Sequence, residues 1–199
     1  MAKMKSRGRP RDFDEETVLR DLVRLFWVKG YEGTSLQHIM AETGLKKGSL
    51  YSLFGSKKDM YMQALIFYNQ GHVKSACQQL MDEASGQPLA RLERFLTAPI
   101  ISVSRDMDRS GCFLCNAAAD MADKDNDVNN VVEKAHMALE AALMMALKSH
   151  DPSLNNVELL IKARSLLTTY TGLRILARTS KDISRLEAGR DAAMQFIGA

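Results

Sequence analysis

Three glycines, Gly30, Gly44 and Gly55, cut the first third of this 199-residue chain into helical pieces too short to be stable alone. A short helix, a glycine-containing turn and a second short helix between residues 30 and 60 is an arrangement that offers side chains to the major groove of DNA. Thr34 and Gln37 have the spacing of a capping box, which predicts a helix running through Leu36, Ile39 and Met40 until Gly44 stops it. In the next segment Leu50, Leu53 and Phe54 form an apolar stripe, leaving Lys46, Lys47, Ser49, Tyr51 and Ser52 to face outward. Ser56 and Asp59 repeat the capping pattern at the start of a longer helix carrying Met60, Ala64, Leu65 and Phe67. Lys57 and Lys58 in its first turn oppose the helix dipole at a cost of a few tenths of a kcal/mol, an arrangement that suits an approaching phosphate.

Upstream, Asp12 or Asp14 can cap a first helix whose opening turn holds Glu15 and Glu16 and whose inner face is Val18, Leu19, Leu22, Val23 and Phe26. Net charge over the chain is only +3, but residues 1 to 60 hold 12 Lys or Arg against 8 Asp or Glu, while residues 61 to 199 hold 15 against 16. All of the excess therefore belongs to the first third. Lys3, Lys5, Arg7, Arg9 and Arg11 precede every acid, and Gly8 and Pro10 argue against a regular helix among them. An Arg-Gly-Arg-Pro-Arg arm suits the narrow, negatively charged minor groove beside a helix-turn-helix.

Arg9-Pro10-Arg11, Gly30-Tyr31-Glu32-Gly33-Thr34-Ser35 and Gly44 through Lys57 together resemble the TetR family of bacterial transcriptional regulators. The motifs cover about the first 80 residues. The resemblance implies a three-helix DNA-binding domain over residues 1–56, and a helical effector-binding and dimerisation domain over 57–199, all-α with about nine helices. It also implies DNA contacts by Arg7, Arg9, Arg11, Thr34, Ser35, Leu36, Gln37, Lys46, Lys47, Gly48, Ser49, Tyr51, Ser52 and Lys57. Among these, Tyr51 and Lys57 match the family's phosphate-contacting tyrosine and lysine, and Gln37 and Lys46 stand where base edges are read. Leu53 departs from members that place a polar residue there.

The remainder reads as helix, with breaks at residues 85–88, 106–111, 124–127, 150–152 and 179–182. Five segments follow, at about 89–104, 112–122, 128–149, 156–178 and 183–197. No apolar run approaches the ~20 residues of a membrane span, and the basic start runs into an acidic helix rather than a signal-like core, so a cytoplasmic protein is expected. Reading a palindromic operator requires a two-fold pair of such domains. A homodimer is expected through the last two helices, from Leu159, Leu160, Ala163, Leu166, Leu167, Tyr170, Ile183, Leu186, Ala193 and Ile197.

Twelve methionines suggest a pliable interior, in which Met121, Met137, Met144 and Met145 are candidate walls for an apolar or electrophilic effector. Cys112 follows Gly111 at an expected helix start, where the dipole and Arg105 or Arg109 favour a thiolate, and Cys115 shares its face. The pair reads either as buried packing or as a redox or electrophile sensor. Two cysteines with His136 or His150 lack a second compact ligand pair, so no metal is expected, and no cofactor motif is present. A thiol oxidoreductase would want the βαβ pattern that is missing here. An all-helical adaptor would need no basic arm. The sequence therefore favours a repressor released from double-stranded DNA by a small effector or by cysteine modification.

Overall fold

The computed structural model describes residues 14–104, 110–180 and 182–198. Ten helices occupy these residues, and no strand occurs among them: α1 (Glu15–Lys29), α2 (Leu36–Thr43), α3 (Lys47–Phe54), α4 (Lys57–Tyr68), α5 (Lys74–Met81), α6 (Pro88–Ser104), α7 (Phe113–Met121), α8 (Asn126–His150), α9 (Asn156–Thr179) and α10 (Ile183–Gly198). A five-residue π-turn at Asn69–Val73 joins α4 to α5, so the two form one rod from Lys57 to Met81. Counted as a rod, they give the nine helical units expected. A π-turn inserts a residue into the regular ladder and is found mostly where function distorts a helix.

Local chemistry explains each start. Asp14 caps α1 by accepting from the Glu16 and Thr17 amides, and Ser56 and Asp59 form the expected box at α4. At α2 the box lies one residue later than the spacing suggested. Ser35 Oγ accepts from the His38 N–H while His38 Nδ1 accepts from the Ser35 N–H. Gly44 takes the left-handed conformation, φ +68°, that the tight exit from α2 demands.

Eight-residue helices such as α2 and α3 fold through packing rather than propensity. Ile39, Leu50 and Phe54 are buried beneath them, each worth ~1.5–3 kcal/mol of apolar burial. The same apolar cluster runs on without interruption through Phe26, Met60 and Tyr61 into Phe113, Leu143 and Leu166. Edge-on aromatic contacts mark the junction. Tyr61 meets Phe26 at 5.1 Å, Tyr31 at 5.2 Å and Phe113 at 5.5 Å between ring centroids.

A second, smaller buried cluster, Ile100, Val103, Leu173, Ala177 and Leu186, lies between α6, α9 and α10. Leu159, Ala163, Leu166, Leu186, Ala193 and Ile197, assigned above to a dimer interface, are buried within their own chain. Helix α9 packs instead on α6 and α8, and α10 on α6 and α9. On the opposite side α9 exposes Val157, Ile161, Ile175 and Leu176, and α10 exposes Phe196. No helix among the described residues is long and apolar enough to cross a membrane.

Candidate DNA interface and effector cavity

Helix α3 has the two-faced character that groove reading requires. Leu50 and Phe54 anchor it, while Lys46, Lys47, Gly48, Ser49, Tyr51 and Ser52 are all exposed. Lys46 occupies the N-cap without a side-chain cap bond, leaving the first amides of α3 open. Tyr51 is 43 % exposed, and the Lys47 ammonium stands 5.8 Å from its ring centroid. Gln37 on α2 is exposed, and Ser35 and Leu36 are half-buried, Leu36 by packing on the core. Lys57 is half-buried with Nζ 4.3 Å above the ring of Tyr31, which fixes the direction of its charge.

Two expectations change at this surface. Thr34 is fully buried, and its hydroxyl donates to the Gly30 carbonyl at 2.7 Å, so it braces the loop before α2 and presents nothing to a groove. Lys58 does not wait for phosphate. Its ammonium lies 2.7 Å from an Asp125 carboxylate oxygen and 2.8 Å from one of Asp127, and those bonds push its pKa up. The start of α4 is thereby tied to the start of α8. Arg7, Arg9 and Arg11, like Arg105 and Arg109, lie outside the described residues.

A cavity of about 600 Å³ opens behind this unit, between the rod and α6, α7, α8 and α9. Tyr68 and His72 on the rod form one wall, and Phe95 and Tyr170, stacked at 4.1 Å, form another. Met121, Met137 and Met144 are absent from its lining. Met121 is buried in the core, Met137 is 67 % exposed on the outer face of α8, and Met144 packs on the core from its edge. Helical spacing could not tell which face of α8 the cavity would use.

Cys112 and Cys115 both reach this cavity, and both are free, buried thiols. Gly111, at φ +79°, makes the sharp entry, since a Cβ there would lie 2.8 Å from the Arg178 side chain. Cys112 then serves as the N-cap of α7. Its thiol is held below the ordinary range by the Cys115 thiol, then by the Tyr68 hydroxyl at 3.4 Å, the Cys115 amide and the charge of Arg174, which together outweigh burial. The same proximity drives Cys115 upward: its thiol is held protonated by the hydrogen bond to Cys112, burial adds to this, and a second thiolate would meet like charge. The cation is Arg174 of α9, a contribution that only the tertiary fold reveals. Burial also raises Tyr68 and pushes Tyr170 up to about 12, so both phenols remain hydrogen-bond donors near neutral pH.

A polar node couples the cavity's edge to α1. Asn116 donates to the Ser110 carbonyl at 3.0 Å and the Trp27 carbonyl at 3.3 Å, and accepts from Arg178 at 3.0 Å. The Trp27 indole N–H donates to the Ser110 carbonyl at 3.2 Å. Nothing at any of these positions stands out in the sequence, because all the partners except the Asn116–Ser110 pair are 62 to 89 residues apart.

Among known proteins, residues 18–64 match the bacterial regulatory proteins of the tetR family. The HTH-type transcriptional repressor ComR of Escherichia coli (strain K12) is 31% identical over 143 residues, covering 72% of this chain and 68% of that one. An uncharacterized HTH-type transcriptional regulator of Bacillus subtilis (strain 168), YezE, is 27% identical over 195 residues, covering 96% of this chain and 99% of that protein. In fold, the chain is similar to a cysteine mutant of the TetR family regulator CifR complexed with a 26-base-pair operator, with a TM-score of 0.80 at 24% identity, covering 94% of this chain and 98% of that one.

Proposed function

The chain belongs to the TetR family of bacterial transcriptional regulators, and on that premise we propose that it is a repressor whose hold on a palindromic operator is released through the cavity behind its reading head. One observation carries this reading. The rod that walls the cavity with Tyr68 and His72 also supplies Met60 and Tyr61 to the core under α2 and α3. A ligand that displaces the π-turn end of the rod therefore moves the packing beneath the recognition helix. Such a ligand shifts the equilibrium only by its difference in affinity for the two arrangements.

Lys46, Lys47, Gly48, Ser49 and Gln37 are the base-edge candidates, and Ser35, Leu36, Tyr51, Ser52 and Lys57, with arm residues Arg7, Arg9 and Arg11, are the phosphate and minor-groove candidates. The working unit is a cytoplasmic homodimer, paired through the exposed side of α9 and α10, where Val157, Ile161, Ile175, Leu176 and Phe196 leave water-facing apolar surface. ComR is described as a repressor and CifR is held on operator DNA, which supports the direction of the effect. The low-lying thiol of Cys112 gives an oxidant or electrophile a second entry to the same switch.

In vitro selection of random duplexes by the full chain tests this. The expected outcome is a two-fold symmetric site whose affinity falls steeply with salt and drops in Tyr51→Phe and Lys46→Ala. Enrichment of no site, or binding indifferent to salt, would overturn it. Release of the selected duplex by diamide in the native chain, abolished in Cys112→Ser, tests the thiol entry.

A further inference from the structure

The lining of the cavity has an unbalanced charge. Arg91, Arg94 and Arg174 contribute guanidinium groups, and no Asp or Glu takes part. None of the three lies within ion-pair distance of a carboxylate among the described residues. Arg91 is only 4 % exposed, yet its Nε has no hydrogen-bond partner; its other nitrogens donate to the Leu80 carbonyl at 2.8 Å and to Ser149 Oγ at 3.5 Å. Arg174 spends its Nε on the Tyr170 hydroxyl at 2.9 Å and lies 5.0 Å from that ring's centroid. Arg94 is exposed and donates to the Ser85 carbonyl at 3.0 Å, so the charge withdrawn from solvent is that of buried Arg91 and half-buried Arg174; such cations without a carboxylate partner are costly and mark a site where an anion completes the set. The Cys112 thiolate can offset one positive charge of the three. Burial pulls His72 below the usual imidazole range, so it stays neutral and adds no further positive charge.

Apart from a few polar side chains such as Gln79, Ser102 and Thr171, the rest of the lining is mostly apolar. Phe95 stacks on Tyr170, and Leu139, Leu167 and Trp27 extend the wall. A planar carboxylate matches the two parallel N–H bonds of an arginine fork, and an aromatic body matches the stacked wall. About 600 Å³ lies within the span of ordinary small-molecule sites.

We propose that the cavity binds an amphipathic organic anion, a carboxylate on an aromatic or branched apolar body, with Arg174 as its charge partner and Phe95 and Tyr170 as its apolar wall. This rests on the reading of the cavity as the effector site and names the ligand class that site takes. Arg91 and Arg94 add positive potential, which concentrates anions at the cavity and disfavours cations.

Calorimetric titration of the full chain with 2-naphthoate and with its neutral counterpart 2-naphthalenemethanol tests the proposal. Naphthoate is expected to bind at least tenfold more tightly than the alcohol. Arg174→Met should erase that preference while leaving alcohol affinity within threefold, and Arg174→Lys should keep part of it. Saturating naphthoate should also slow alkylation of Cys112 by iodoacetamide, since both occupy one cavity. Equal binding of acid and alcohol, or a preference that survives Arg174→Met, would overturn the proposal, and so would failure of naphthoate to bind at all. Release of the selected duplex is read separately. Naphthoate binding without release would sink the effector reading and leave the anion site standing, whereas release by diamide with no naphthoate binding would do the reverse.

Discussion

Replacing Asn116 with alanine removes the side chain through which α7 holds both α1 and α9. Asn116 is 8 % exposed and makes three hydrogen bonds, two donated to the Trp27 and Ser110 carbonyls and one accepted from Arg178. The two neutral bonds are worth about 0.5–1.5 kcal/mol each, and their loss leaves carbonyls short of a donor. The charged bond belongs to an arginine whose side chain meets solvent, so screening reduces it to about 0.5–1 kcal/mol. Asn116→Ala should then cost about 2–4 kcal/mol. With a urea slope of ~2 kcal/mol/M, the unfolding midpoint falls by about 1–2 M. Protein concentration must be held fixed, because the proposed dimerisation would add to apparent stability. Arg178→Met should account for no more than about 1 kcal/mol of this, since it removes only the exposed partner. A midpoint unchanged within 0.2 M in Asn116→Ala would refute the view that this node fastens α1 to α7. A changed slope would instead point to partial unfolding.

Three further outcomes follow from the geometry. Phe113→Ala empties the space between Tyr61 and Tyr68 and should cost ~3–5 kcal/mol by thermal or chemical denaturation; a loss below 1 kcal/mol would contradict the packing described. Because the folded Cys112 thiol titrates below its ordinary value, its iodoacetamide rate should change less than threefold from pH 6.5 to 8.5, with the plateau lost as pH falls through the folded pKa; a tenfold rise over each of those units would show an ordinary thiol. Ile161→Asp and Ile175→Asp place charge on the exposed face of α9 and should yield monomers in light scattering, while an intact dimer in both variants would move the interface elsewhere.

Features that depend on neighbours a few residues away were legible in the chain. The caps at Asp14 and Ser56, the stops at Gly30, Gly44 and Gly55, and the outward face from Lys46 to Ser52 are all local in origin. The one-residue error at α2 arose because threonine and serine are both good caps, and only packing decides that Thr34 turns inward to Gly30. The cavity was out of reach for a different reason. Arg174, Tyr68 and Cys112 converge from positions 44 to 106 residues apart, and no periodicity within one helix encodes such a meeting. Methionine content misled for the same reason, since composition carries no direction. The π-turn at Asn69–Val73 contains Gly71 and other weak helix formers, but these weaken a helix without specifying which distortion it takes.

Tyr61, with Phe26 and Tyr31 on one side and Phe113 on the other, has a consequence for how such regulators diversify. Because the reading head and the sensing body share this interior, grafting the first fifty-odd residues onto a relative's body would set mismatched side chains against each other at Tyr61. On the proposed reading, new operator preference is more easily acquired on the outer skin of α2 and α3, at Gln37 and from Lys46 to Ser49, where the side chains are exposed. New effector preference would, on the same reading, come from the part of the cavity wall that is only half-buried, such as Thr171 and Arg174. The shared interior between them is where inheritance is most constrained, and it keeps the two specificities free to drift apart while remaining mechanically joined.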